Sequence, residues 1–73
     1  HDALPILVFV EVKYRRDERQ GSPAEAVDYR KQQHIRRAAE YYLYKNRVSE
    51  AMPCRFDVVA ILGDRITLIR DAF

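Results

Sequence analysis

Apolar positions along the chain fall into three short continuous runs and one stripe at helical spacing. The first run, I-L-V-F-V-E-V-K at residues 6–13, follows Pro5 and is rich in β-branched and aromatic types, which predicts a strand. Period-two alternation places Ile6, Val8, Val10 and Val12 on one face, and Leu7, Phe9, Glu11 and Lys13 on the other. Both faces are apolar for most of the length, the pattern of a strand covered on both sides.

A polar stretch, residues 14–21, ends in Gly21, and helix-starting signals follow. Ser22 suits the N-cap, Pro23 the first helical position and Glu25 the third position of a capping box. Asp28 offers a second N-cap, so that the main helix spans 29–46. Within it, Ile35, Ala38, Ala39 and Tyr42 recur at i, i+3, i+4 and i+7 as one stripe. The stripe extends backward onto Lys31, with Gln32 at its flank, and Arg36, Arg37, Glu40 and Tyr44 lie away from it. Two alanines at its centre let the helix lie close on a sheet.

A connection over 47–54, closed by Pro53, leads to a second apolar run, R-F-D-V-V-A-I-L at 55–62. Gly63-Asp64 reads as a two-residue hairpin turn, and R-I-T-L-I-R at 65–70 as a third strand. The order strand, helix, strand, strand predicts an α/β domain. A right-handed crossover makes the first two strands parallel, and the hairpin adds an antiparallel third. One helix covers one face of this mixed sheet. The other face would remain an exposed apolar patch. An upstream segment absent from these 73 residues, or a second copy of the chain in a homodimer, would cover it.

Composition narrows the class. A chain of 73 residues makes one small domain, and 48% hydrophobic with 33% charged residues is a globular composition. The single cysteine, Cys54, excludes an intrachain disulfide and a zinc cluster built from thiolates. No apolar run approaches the roughly 20 residues that span a bilayer, and nothing resembles a signal peptide, so a cytoplasmic location is expected. The net charge of +2 is mild, but its distribution is uneven. Lys13, Arg15, Arg16 and Arg19 follow the first strand, with Asp17 and Glu18 among them, and Arg30, Lys31, Arg36 and Arg37 cluster on the helix. These clusters read either as solvated surface or as a phosphate-facing one.

Glu11 and Lys13 share a strand face, with Cα atoms about 6.6 Å apart, near the strand's C-terminal end. Sites in open α/β sheets collect at that end. Metal-assisted phosphodiester cleavage uses such a pair. The carboxylate binds a hard cation, and the ammonium holds the attacking water and offsets growing negative charge. The Val12 carbonyl is a further oxygen ligand if the strand distorts there. One carboxylate is a weak magnesium site, so a second acid from a neighbouring strand is required. The plainer reading is a surface ion pair worth about 0–1 kcal/mol.

Other residues weigh less. Lys31 and Gln32, at the helix N-terminus, are brought near Glu11 by the crossover and are accessory candidates, although Lys31 also suits a place along the sheet edge. Asp57, expected at the end away from Glu11, pairs with Arg55 or accepts from a backbone N–H. His34, beside Tyr41, reads as structural and Ser22 as a cap. Tyr14, Arg15 and Arg16 suit a nucleic-acid backbone or a solvated loop equally.

The segments L-V-F-V-E-V-K-Y-R-R, G-S-P-A-E-A-V, K-Q-Q-H-I-R-R-A-A-E-Y-Y-L, C-R-F-D-V-V-A-I and I-R-D-A-F, in this order, resemble the YraN-like proteins across essentially the whole chain. That bacterial family is related to Holliday-junction resolvases. The resemblance implies a restriction-endonuclease-like fold with a PD-(D/E)xK site, in which Glu11 and Lys13 match the (D/E)xK half. It implies magnesium or manganese as cofactor, held by Glu11 and Val12, with DNA as partner. It also implies an upstream helix and a strand reading roughly G-E-I-D-L-I, whose aspartate is the other ligand. Asp2 does not match that aspartate, so the 73 residues alone are expected to be inactive. Three readings follow: a metal-dependent, resolvase-like nuclease; a nucleic-acid-binding module without catalysis; and an interaction protein that pairs through its sheet.

Overall fold

The computed structural model describes residues 5–20 and 27–73. Strand β1 spans Leu7–Arg15, helix α1 Tyr29–Lys45, strand β2 Cys54–Leu62 and strand β3 Arg65–Ile69. A short 3-10 turn covers Glu18–Gln20 after β1. The predicted cap at Ser22, Pro23 and Glu25 lies outside the described residues.

The sheet has the order β1-β2-β3. β1 and β2 are parallel, from Leu7↔Cys54 to Arg15↔Leu62, and β2 and β3 are antiparallel around Gly63-Asp64. Gly63 takes a left-handed φ of 61°, which suits glycine at this turn. This is the α/β order and pairing that the hydrophobic pattern predicts. β1 runs two residues past its apolar run because pairing sets the strand's end. Tyr14 and Arg15 stay in register with Ile61 and Leu62, and the Gly63 N–H donates to the Arg15 carbonyl at 2.8 Å. Glu11 therefore stands at the middle of β1, a correction to its expected place near the strand end.

α1 starts where Asp28 caps it, the carboxylate accepting from the Lys31 N–H at 2.9 Å. It ends at Asn46, whose N–H and side-chain amide both donate to the Tyr42 carbonyl. The inner face of α1 centres on buried Ala39, with half-buried Ile35, Arg36 and Leu43 around it. Ala38 is exposed, so the stripe is rotated from the predicted one. Arg36, expected to point away, lies with its guanidinium 4.9 Å from the Phe56 ring centre and 5.5 Å from that of Phe73. A flat cation covers aromatic rings as an apolar group would, with cation–π attraction in addition.

The core is small and lies under this helix. Val58 at 2% exposure, Ala60 and Ala39 are its buried members. Phe9 stacks on Phe56, and Tyr42 meets Phe9 edge-on at 5.7 Å. Phe73 stacks on Phe56 at 5.1 Å. Among the described residues, no element covers the opposite face. Val10, Val12, Ile66 and Leu68 are all more than half exposed, and Val12 and Leu68 both flank Val59 in register. The short axis of 16 Å fits one sheet and one helix layer. Among the described residues no helix is long and apolar enough to cross a membrane.

Candidate functional site

Alternation along β1 sends Glu11, Lys13 and Arg15 to the face that carries α1. Glu11 lies in register with Val58, and Lys13 with Ala60, both buried under the helix. The first turn of α1 crosses above this row. Lys31 Nζ reaches Glu11 Oε1 at 3.4 Å, with side-chain exposures of 39% and 23%. An ion pair this exposed contributes only about 0–1 kcal/mol, so fold stability gives little reason for it.

The first turn places Lys31 by hydrogen bonds to the residues before it. Asp28 takes the Lys31 N–H, its carbonyl takes the Gln32 N–H at 2.9 Å, and the Gln32 side-chain amide donates to the Val27 carbonyl at 3.3 Å. Gln32 thus anchors the helix start, a positioning role, whereas Lys31 is the helix residue that reaches Glu11. The turn carries Arg30 and Lys31 and no acid, so two cations sit at the positive end of the helix. That arrangement favours anions there: the Asp28 carboxylate caps the helix, and Glu11 faces Lys31. His34 is exposed and, with Asp28, Arg30 and Lys31, lines a shallow depression at this end.

Val12 presents its backbone differently. The Leu7 N–H donates to the Pro53 carbonyl and the Arg15 carbonyl accepts from Gly63, so residues 7, 9, 11, 13 and 15 bond β2. Residues 8, 10, 12 and 14 then aim their backbone groups at the outer edge of β1. The Val12 carbonyl points to that edge in the plane of the sheet, and the register through it is unbroken. No strand distortion is needed to free it.

Asp57 lies on the other face. It is in register with Val10, one step from Glu11 along the ladder, and not at the far end of the strand pair as expected. Arg55 donates to both of its oxygens at 2.8 Å, and the Asp71 N–H donates at 2.9 Å. The side chain is 4% exposed. Arg55 first, then Asp71, hold this carboxyl below its ordinary range, against the effect of burial. The same bonds raise Arg55. Asp57 is a structural anchor, through both of the partner types the sequence suggested.

The described residues fit half of a divalent-cation site. Glu11 offers one carboxylate, and Val12 a carbonyl with no strand partner among the described residues. Among the described residues no three of His, Cys, Asp or Glu come together as a ligand set. Past Lys13, half-buried Arg15 and exposed Arg16 continue the cationic row into the bend after β1. A depression of about 450 Å³ between Leu43 and Met52, at the other end of α1, touches none of these residues.

The sequence model of the family described as "Uncharacterised protein family UPF0102" matches residues 2–61, a span that includes Glu11, Lys13 and Lys31. A UPF0102 protein of Lachnoclostridium phytofermentans is 54% identical over 67 residues, covering 92% of this chain and 57% of that protein. One of Xanthomonas axonopodis pv. citri is 51% identical over 75 residues, covering 100% and 61%. One of Shewanella amazonensis is 47% identical over 68 residues, covering 93% and 61%. The chain thus spans about three-fifths of the length of these relatives. No solved structure gives a significant match.

Proposed function

The chain belongs to the uncharacterised protein family UPF0102, and we propose that it carries the (D/E)xK half of a restriction-endonuclease-like, magnesium-dependent nuclease that cleaves DNA. The membership agrees with the YraN-like resemblance of its motifs. The observation that carries the proposal is the approach of Lys31 to Glu11 at 3.4 Å, with Lys13 on the same face. A carboxylate flanked by two ammonium groups suits a phosphodiester, which brings negative charge and gains more of it in the transition state.

Magnesium or manganese, when bound, polarises the phosphate and makes its bound water more acidic. Glu11 and the Val12 carbonyl would be the ligands from the described residues, and a second carboxylate would have to come from outside them. Lys13 holds the attacking water and offsets charge on the phosphoryl oxygens. Lys31 holds Glu11 in place and adds positive charge beside the same oxygens.

The test is cleavage of branched and linear DNA by the full-length polypeptide with magnesium. Glu11→Gln and Lys13→Gln are each expected to slow cleavage by roughly 100-fold or more. Cleavage that both variants leave unchanged overturns the proposal. Salt-sensitive binding without any cleavage supports the non-catalytic binding module in its place.

A separate observation favours a second reading, pairing of two copies through the sheet. Val10, Val12, Ile66 and Leu68 form an exposed apolar row across the strands. Sedimentation at rising concentration should show a dimer, and a monomer throughout contradicts it.

A further inference from the structure

The bend after β1 holds a second group of cations. It begins at Arg15, four residues and about 13 Å along the strand from Glu11. Tyr14, Arg15, Arg16, Asp17 and Arg19 line a depression of about 350 Å³. Three guanidinium groups meet one carboxylate there, and that carboxylate is already engaged. Asp17 accepts the Arg19 N–H at 3.0 Å, and its other oxygen lies 3.6 Å from Arg19 Nε. Arg15 and Arg16 have no comparable partner among the described residues. Arg15 Nε is buried, with no hydrogen-bond partner among them. Arg15 as a whole is half-buried and lines the depression, where an oxyanion would supply the counter-charge that Arg15 and Arg16 lack among the described residues.

We propose that this depression is a phosphate seat, which holds a DNA backbone phosphodiester flanking the one cut beside Glu11. The proposal rests on the nuclease reading and adds to it the path of the strand, from the α1 N-terminus along β1 into the bend. Guanidinium forks match phosphate oxygens two at a time, and exposed Tyr14 adds a hydroxyl. Such contacts fix position and orientation and carry no sequence information, so the seat selects backbone shape over base sequence.

The experiment is fluorescence anisotropy of a fluorescein-labelled DNA duplex with the full-length polypeptide, in chelator to prevent cleavage, across a salt series. The logarithm of the binding constant falls linearly with the logarithm of salt, with a slope set by the phosphates contacted. Arg15→Gln and Arg16→Gln should each weaken binding and make the slope shallower by about 0.9. Lys45→Gln, at the far end of α1, should leave both unchanged. Circular dichroism checks each fold, and exposed Arg16→Gln decides the matter if Arg15→Gln does not fold. Wild-type slopes in the folded arginine variants overturn the seat and leave the nuclease reading standing. No salt-sensitive binding by the wild type overturns both.

Discussion

Two carboxylates on neighbouring strands, one register step apart, have opposite tasks. Asp57 faces away from the helix with every strong partner in place: two bonds from Arg55 and one from Asp71. The pairing explains the tail. Register leads from Val58↔Ile69 to Phe56 opposite Asp71, yet the Phe56 carbonyl accepts from Ala72 at 2.7 Å. The chain slips by one residue, Asp71 takes a positive φ of 52°, and its freed N–H goes to Asp57. Because these bonds lower the folded pKa of Asp57, its stabilisation is complete above the unfolded value, near 3.9. It is lost as pH falls through the folded value. Asp57→Asn should therefore lower the thermal midpoint at neutral pH, and the gap from wild type should narrow below about pH 4. A gap constant with pH in a series of melts contradicts this. Glu11, by contrast, has one cation at 3.4 Å among the described residues, and its side chain is 23% exposed. The sequence pattern could place both acids on strands. It could not show that Asp57 sits one step from Glu11, because register is set by pairing across a long connection.

At the scale of elements, each strand and the helix follow from local pattern, and the misses share a cause. The two-residue extension of β1 comes from Tyr14 and Arg15 pairing with β2, which no local signal carries. The rotated stripe of α1 follows from Arg36 lying over Phe56 and Phe73, a use of a charged residue that hydropathy counts as solvent-facing. The second cap was legible, since Asp28 before Y-R-K-Q is a local signal. Asp28→Ala should cost about 1 kcal/mol in urea unfolding. It should also loosen Lys31 from Glu11, because the Asp28 bond is to the Lys31 N–H. An unchanged unfolding midpoint would count against this account of the helix start.

At the scale of the whole molecule, the described residues cover the sheet on one side only. Val12 at 58% and Ile66 at 70% exposure lie on a face that the sequence pattern marks as needing cover. The backbone groups of Val8, Val10, Val12 and Tyr14 line an open edge. Relatives of which the chain spans about three-fifths have length enough to fill both places. A strand added at that edge would come beside Glu11 and the Val12 carbonyl, which is where the proposed site needs its second carboxylate. The candidate half-site was legible as Glu-x-Lys with Lys31 and Gln32 nearby. The division of labour between those two was not, because it depends on which side chain turns back to Val27. The most direct measurement is manganese-induced broadening of amide signals in the full-length polypeptide. Selective broadening at Glu11, Val12 and Lys13 that Glu11→Gln abolishes is the predicted result. Broadening elsewhere, or broadening at these residues that survives Glu11→Gln, would contradict the assignment.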